Sequence, residues 1–166
     1  LFRVSARPEG TVNINGNAAL DAGNEYKVSA KLDARGIAMH QGNTRISGVS
    51  LDTALDADPR RIQLSGLRVG ALGGSFTGSA DILNLAEFHL TGRLRDFDIA
   101  QVSKAFMPAP PGYDGVISGP VQTDGNLRDF SGLIARANLS IAPASRGIPV
   151  SGHLGIDYNG RAGNLS

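Results

Sequence analysis

The feature that most constrains this chain is a strict alternation of apolar and polar residues near its C-terminus. In residues 133–141 every second position is aliphatic, and most residues between them are polar. The alternation resumes in residues 148–158, after a bend at residues 143–147. Because successive side chains of a strand point to opposite faces, this pattern predicts strands with one apolar and one polar face.

Similar alternations occur through the rest of the chain. Residues 26–34, 49–57, 62–69 and 88–94 carry apolar groups at every second position for most of their length, and glycine, asparagine or proline lies between the segments. A weaker alternation begins at Phe2 and Val4, before these segments. Short strands at roughly even spacing, separated by turn residues, are typical of an all-β fold.

Glycine is nearly twice as frequent as the average of about 7%, with 22 residues in the chain. Segments 74–78 and 115–119 each place a bulky apolar residue between glycines, inside a predicted strand. Glycine within a strand often marks a bend, a bulge or a close approach of another group. Repeated use predicts a strongly curved sheet, with ordinary hairpin turns as the alternative. Gly36 and the pair Gly42 and Asn43 are expected to form turns.

Residues 98–106 depart from the strand pattern. Three apolar residues recur there at helical spacing, namely Ile99, Val102 and Phe106. Asp98 is placed to cap the first amides, and Gln101 is placed to reach back as in a capping box. We expect a short helix whose apolar side packs against a sheet.

The chain begins at Leu1 rather than at a methionine, and it contains no signal peptide or membrane span. We interpret residues 1–166 as one segment excised from a longer protein. Prolines and glycine cluster in residues 107–112, after the predicted helix. This cluster is a candidate boundary between two structural modules.

Composition and motifs argue against several function classes. A net charge of +1 with scattered basic residues gives no footprint for nucleic acid. The absence of cysteine excludes disulfides, zinc ribbons and thiol catalysis. No nucleotide-binding glycine loop or G-x-S-x-G elbow is present. The sequence therefore predicts neither an enzyme nor a cofactor.

The isolated titratable residues do not form a recognisable site. His40, His89 and His153 stand alone on predicted polar faces, so we do not expect them to bind a metal. Asp52 and Asp56 share a strand face and could flank a substrate, but a solvated face explains them as well. A glycan-binding domain or hydrolase stays an alternative, since paired acids meet only in the fold.

The order of glycine and apolar motifs resembles that of a known family. The motif GGSFTG at residues 73–78 is followed by LRDFDI at residues 94–99, by GVISG at residues 115–119 and by TDGNL at residues 123–127. This order resembles AsmA-like proteins. The ending SGHLGIDYNG, at residues 151–160, is similar to the related TamB translocation and assembly module proteins.

The resemblance covers about residues 62–160 and has several implications. It implies a periplasmic segment of a long protein that is anchored in the inner membrane. It implies an elongated, strongly curved antiparallel sheet, a taco or β-groove, with an apolar concave face. It implies that this face conducts phospholipid acyl chains between the membranes or assists outer-membrane protein assembly. Implied partners are adjoining β-groove segments of the same chain and an outer-membrane assembly barrel protein of the TamA or BamA kind.

The apolar positions of the strands are the candidate lipid-binding groove. They are Tyr26, Val28, Leu32, Leu51, Leu55, Ile62, Leu64, Phe76, Ile82, Phe88, Leu90, Leu94, Leu133, Leu139, Ile141, Val150, Leu154, Ile156 and Tyr158. A sheet with one apolar face must cover that face, and in a groove the cover would be lipid. The alternative is a structural or adhesive β-sandwich or solenoid module, in which the same residues form a closed core.

Overall fold

The structure, a computed structural model, describes residues 9–20, 23, 25–41, 44–107, 109, 112–161 and 164–165. In chain order the elements are β1 (Glu9–Leu20), β2 (Tyr26–Gln41), β3 (Thr44–Ala57), β4 (Arg61–Ala71), β5 (Gly74–Leu83), β6 (Glu87–Asp98), α1 (Ile99–Phe106), β7 (Tyr113–Asn126), β8 (Asp129–Pro143), β9 (Ile148–Pro149), β10 (Gly152–Asn159) and β11 (Asn164–Leu165). The predicted all-β class with one short helix is confirmed. The strand start expected at Phe2 and Val4 and the turn expected at Gly42 and Asn43 lie outside the described residues.

The strands form one antiparallel sheet in which neighbours along the chain are neighbours in space. The order is β1-β2-β3-β4-β5-β6-β7-β8-β10-β11, and β9 pairs with the start of β7 in parallel. Within the described part of the chain, the sheet is open and not closed into a barrel. It continues across the proline cluster, since β6 pairs with β7 from Glu87–Asn126 to Asp98–Val116. The boundary at residues 107–112 therefore stays a prediction.

Bulges interrupt the pairing of several described strands, and three of them are in β2, β4 and β6. The register shifts near Gly36 in β2, near Gly66 in β4 and near Asp96 in β6, and these residues have φ angles of 64°, 61° and 56°. A bulge with its first residue in the left-handed region adds a residue to one strand and increases its bend and twist. The expectation of a turn at Gly36 is wrong, because the glycine lies inside the 16-residue strand β2. Its left-handed backbone serves a bulge instead.

The helix α1 forms where the sequence predicts it. Asp98 is the N-cap, and its Oδ1 accepts a hydrogen bond from the Gln101 amide at 3.0 Å. The Asp98 amide donates to the Leu72 carbonyl at 3.2 Å, which ties the helix start to the β4–β5 turn. The expected packing side is seen only in part, since Ile99 and Val102 are half-buried. Ser103 and Ala105 are the buried residues, whereas Phe106 is 55% exposed.

The last predicted strand is divided in the structure. Ile148 pairs with Tyr113 in the short parallel bridge of β9, and Val150 lies between β9 and β10. The cause is a set of backbone contacts to the start of β7. The Ile148 amide donates to the Gly112 carbonyl, and the Val150 amide donates to the Asp114 carbonyl, both at 2.9 Å.

Candidate functional site: the aliphatic positions of the sheet

The nineteen candidate groove residues named above are here called the aliphatic positions. All of them except Val150 lie in strands of the sheet, and the pairing register shows which of them are neighbours. Directly opposite residues of antiparallel strands lie on the same face and contact each other. At the N-terminal edge, Leu20 lies opposite Tyr26 and Ala18 lies opposite Val28. Val28 in turn lies opposite Ala57 of β3. The alignment therefore passes from strand to strand.

The alignment continues across the middle of the sheet. The opposed pairs there are Ala34–Leu51, Leu51–Val69, Leu55–Leu64, Ile62–Ile82, Ala80–Leu90, Ile82–Phe88 and Phe76–Leu94. Every one of these pairs contains two apolar side chains. The parity inferred for each strand from the sequence thus agrees with the register between strands.

Strand β7 connects the two halves of this arrangement through residues of mixed size. Ile117 lies opposite Ile141 and Val121 lies opposite Ala137, whereas three residues of β6 face small or polar partners. Leu94 lies opposite Gly119, Leu90 opposite Thr123 and Phe88 opposite Gly125. Beyond β7, the opposed pairs are Leu139–Leu154, Ala137–Ile156 and Ala135–Tyr158. Leu133 reaches back to β7, since its Cδ1 lies 3.0 Å from where a Cβ on Gly125 would be. On this face β7 therefore alternates larger apolar side chains with small or polar residues.

Two aromatic rings lie close to glycines of neighbouring strands. A Cβ added at Gly92 would be 2.5 Å from Cζ of Phe76, and one added at Gly78 would be 2.8 Å from the same atom. Phe88 covers Gly125 in the same way, with Cε1 at 2.8 Å. These glycines are sites of close approach, which was one of the roles predicted for strand glycines.

Most aliphatic positions are only half-buried. Phe76 and Leu139 are 8% exposed, whereas Tyr26 and Leu154 are 39% and 46% exposed. In the described part of the chain no large side chain is fully buried. The accessible surface of the chain is 11244 Å², against about 7,800 Å² for a compact monomer of this mass. The described strands form a single layer and do not pack into two sheets.

Strand β1 contributes residues that the candidate groove set omits. Val12 lies opposite Ala34 and Ile14 opposite Leu32, so both share the face of aliphatic positions. They are 54% and 68% exposed, and Leu20 is 71% exposed. The alternation at Val12 and Ile14 was visible in the sequence, but asparagine and glycine interrupt it soon afterwards. The sequence did not show that this segment pairs with β2, and this pairing is what places Val12 and Ile14 on the same face.

The opposite face of the sheet carries ion pairs and hydrogen bonds. Arg61 Nε donates to Asp81 at 2.8 Å, and Ser29 Oγ donates to Asp56 at 2.6 Å. His89 Nδ1 lies 2.5 Å from Asp124 Oδ1. The expectation that His89 stands alone is therefore wrong, because antiparallel pairing sets it directly opposite Asp124. Cross-strand polar pairs of this kind are typical of a solvated sheet face.

The remaining titratable residues from the sequence analysis are not brought together. Asp52 lies opposite Asp33 and Arg68, and His153 lies opposite Ser140. Nothing is described of the His40 side chain. Within residues that the structure describes, no group of three or more metal-ligating side chains converges.

Local hydrogen bonds lower the pKa of two carboxylates, one in a turn and one in a strand. The amides of Arg60 and Arg61 each donate to Asp58 Oδ1 at 2.8 Å. These bonds, chiefly that of Arg60, hold the pKa of Asp58 below its usual value. A side-chain hydrogen bond from Arg35 likewise lowers the pKa of Asp33.

Two depressions of the surface lie at the ends of strands. One of about 720 Å³ is lined mainly by polar residues, including Glu87, Asp124 and Arg161. Another, of about 400 Å³, is lined by residues of the β1–β2 and β3–β4 ends, including Leu20, Tyr26 and Arg60. Neither contains an arrangement of acid, base and nucleophile.

No helix among the described residues is both long and apolar enough to span a bilayer. Comparisons of the chain with protein-family models, with curated proteins and with solved structures give no match.

Proposed function

We propose that this chain is a hydrophobic groove segment that conducts phospholipid acyl chains, within a periplasm-spanning protein anchored in the inner membrane. The observation that carries the proposal is the register. Apolar side chains oppose one another from β1 to β10, yet most of them are only half-buried. A soluble monomer does not usually leave a large apolar surface uncovered unless a partner or ligand covers it.

The physics of such a surface suits a sliding lipid. Each CH₂ group removed from water gains roughly 0.8 kcal/mol, without a directional contact. A row of aliphatic side chains therefore holds an acyl chain at many equivalent positions and offers no single deep well. The rings of Phe76 and Phe88 lie close to Gly78, Gly92 and Gly125. Because these glycines have no side chain, the rings can approach the sheet closely and leave room for acyl chains above them.

The curvature that a groove needs is supported by the position of α1. The helix contacts β6 and β7 and also β3. Strands β3 and β6 are separated by β4 and β5, which corresponds to roughly 14 Å across a flat sheet. A sheet that bends around the short helix α1 would bring β3 and β6 into contact with it at the same time. The bulges at Gly36, Gly66 and Asp96 supply a local cause of bending.

The cellular setting belongs to the same proposal. The envelope location, the inner-membrane anchor, the adjoining β-groove segments and a TamA- or BamA-like partner come from the resemblance to AsmA-like and TamB proteins. Assistance in outer-membrane protein assembly is a second use of the same surface.

Photo-crosslinking in the full-length parent protein tests the groove directly. A crosslinkable residue at Leu154 or Ile156 is expected to capture phospholipid, since both lie opposite apolar residues of β8. The same residue at Asp157, which lies opposite Arg136, is the matched control and should capture none. Capture from Asp157 alone would reverse the two faces. Capture from none of the three would favour the structural or adhesive module.

A further inference from the structure

We propose that the depression at the ends of β1, β2 and β3 binds the headgroup of a zwitterionic phospholipid that carries a primary ammonium. The inference rests on the proposed function, because it supplies the place where a lipid on the aliphatic positions would hold its polar end. The depression has a volume of about 400 Å³, within the range of small-ligand sites.

The apolar part of the depression is continuous with the aliphatic positions. Leu20 and Tyr26 lie directly opposite each other on β1 and β2 and both line the depression. They are 71% and 39% exposed. The next pair on the same face of these two strands is Ala18–Val28. An acyl chain on this side of the sheet would therefore reach the depression without crossing a polar row.

The polar part of the depression contains both signs of charge. Lys27 and Arg60 supply cations, and Glu25 and Asp58 supply carboxylates. A phosphodiester accepts hydrogen bonds from guanidinium and ammonium groups, and an arginine can bind it through two parallel bonds. The carboxylates would repel a purely anionic headgroup and attract an ammonium. The balance of two cations and two anions therefore favours a zwitterion.

The turn that presents these charges is held in place before any ligand arrives. Asp58 accepts from the amides of Arg60 and Arg61 at 2.8 Å, and its own amide donates to the Arg61 carbonyl at 2.9 Å. On the other side, the Asn84 amide donates to the Arg60 carbonyl at 2.6 Å. Pro59 fixes one further backbone torsion. Such preorganisation reduces the entropy that binding would otherwise cost.

The test measures binding of monomeric short-chain lipids to the purified chain. The probes are dihexanoyl phosphatidylethanolamine, dihexanoyl phosphatidylcholine and uncharged dihexanoylglycerol. The double variant Lys27→Gln with Arg60→Gln removes the two cations. The double variant Lys31→Gln with Arg95→Gln removes two exposed cations elsewhere and is matched in net charge.

The expected result is a roughly tenfold weaker Kd for phosphatidylethanolamine in the Lys27 and Arg60 variant only. That factor corresponds to about 1.4 kcal/mol, which is modest for two charge-assisted contacts. Dihexanoylglycerol should bind all three proteins equally. Phosphatidylcholine, whose ammonium has no N–H donor, should bind the unsubstituted chain more weakly than phosphatidylethanolamine.

Other outcomes overturn the inference in distinguishable ways. If all three lipids bind and neither double variant changes their Kd, the headgroup site is wrong and the groove stands. If no lipid binds, the proposed function fails together with the site. If water-soluble glycerophosphoethanolamine binds as tightly as the lipids and the Lys27 and Arg60 variant abolishes this, the site serves a soluble zwitterion and no lipid.

Discussion

At the scale of single residues, local hydrogen bonds decide the state of the turn carboxylates. Asp58 is exposed enough to be solvated, yet two backbone amides point at one of its oxygens. Those bonds favour the charged form, so the pKa of Asp58 is lower in the folded chain than in the unfolded one. In the sequence, Pro59 separates the alternating segments 49–57 and 62–69. The sequence did not show that the carboxylate organises the turn.

The lowered pKa gives a pH dependence with a defined sign. Its contribution to the unfolding free energy is fully present above the unfolded pKa, near 4, and is lost as the pH falls through the lower folded pKa. We expect Asp58→Asn to show a shallower loss of unfolding free energy between pH 5 and pH 2, roughly the window around these pKa values, because its amide oxygen still accepts but does not titrate. Denaturant unfolding at several pH values measures this. Parallel curves for Asp58→Asn and the unsubstituted chain would contradict it.

At the scale of elements, the sequence predicts strands better than it predicts their irregularities. Alternation identified the parity of the aliphatic positions, since burial on one face requires a period of two. Gly36 was misplaced as a turn, because a glycine suits both a turn and a left-handed bulge residue. Phe106 was expected to be buried by its helical spacing. The most buried residues of the helix are Ser103 and Ala105, while Ile99 and Val102 are half-buried, and only the tertiary arrangement decides this.

The candidate site was predictable only in part, because it too depends on the tertiary arrangement. Which side chains share a face follows from each strand alone, but which strands are neighbours depends on contacts far apart in sequence. The role of β7 illustrates this. Gly119 and Gly125 have no apolar side chain that would mark them in the sequence, yet they lie opposite Leu94 and Phe88 on the face of the aliphatic positions. Val150 was assigned to the last strand, and backbone contacts to Asp114 remove it.

Alanine substitutions at Gly66, in the β4 bulge, and at Gly155, in β10, allow the cost of a left-handed backbone conformation to be measured. Gly66 has a φ of 61°, and a Cβ added there would meet nothing within 4 Å, so Gly66→Ala adds backbone strain and no clash. We expect a loss of about 1–2 kcal/mol in unfolding free energy. Gly155→Ala is the matched control, because its Cβ would meet only Asn138 Oδ1 at 3.9 Å and its φ lies outside the left-handed region.

The control should change stability little, or raise it by about 0.4–1 kcal/mol through the entropy of the unfolded chain. Urea unfolding of both variants gives the two values. Equal effects of Gly66→Ala and Gly155→Ala would mean that the left-handed bulge in β4 does not form in solution.

At the scale of the whole molecule, the aliphatic positions form either a closed core or the exposed lining of a groove. A two-layer sandwich would bury the inward residues of its central strands. Here the strands form one layer, and the described buried apolar residues are few. They are Ala34, Leu67, Phe76, Ala80, Ala105 and Leu139. Folding and the proposed lipid binding should therefore depend on different residues.

Two variants test separately which residues stabilise the fold and which residues would bind lipid. Phe76→Ala removes a ring that is 8% exposed and lies over Gly78 and Gly92, so it should lower the unfolding free energy by about 3–5 kcal/mol. The triple variant Val12→Thr, Ile14→Thr and Leu20→Thr introduces β-branched strand formers and changes only exposed side chains. It should alter the unfolding free energy by less than about 1 kcal/mol.

The same triple variant should bind dihexanoylglycerol at least about tenfold more weakly, because it removes several CH₂ groups from the surface that the acyl chains would cover. Calorimetric lipid titration and denaturant unfolding on the same preparations measure both effects. If the triple variant unfolds easily while its lipid binding is unchanged, β1 is sealed by protein in solution. Lipid would then bind away from β1, and the part of the proposed groove formed by β1 would have to be abandoned.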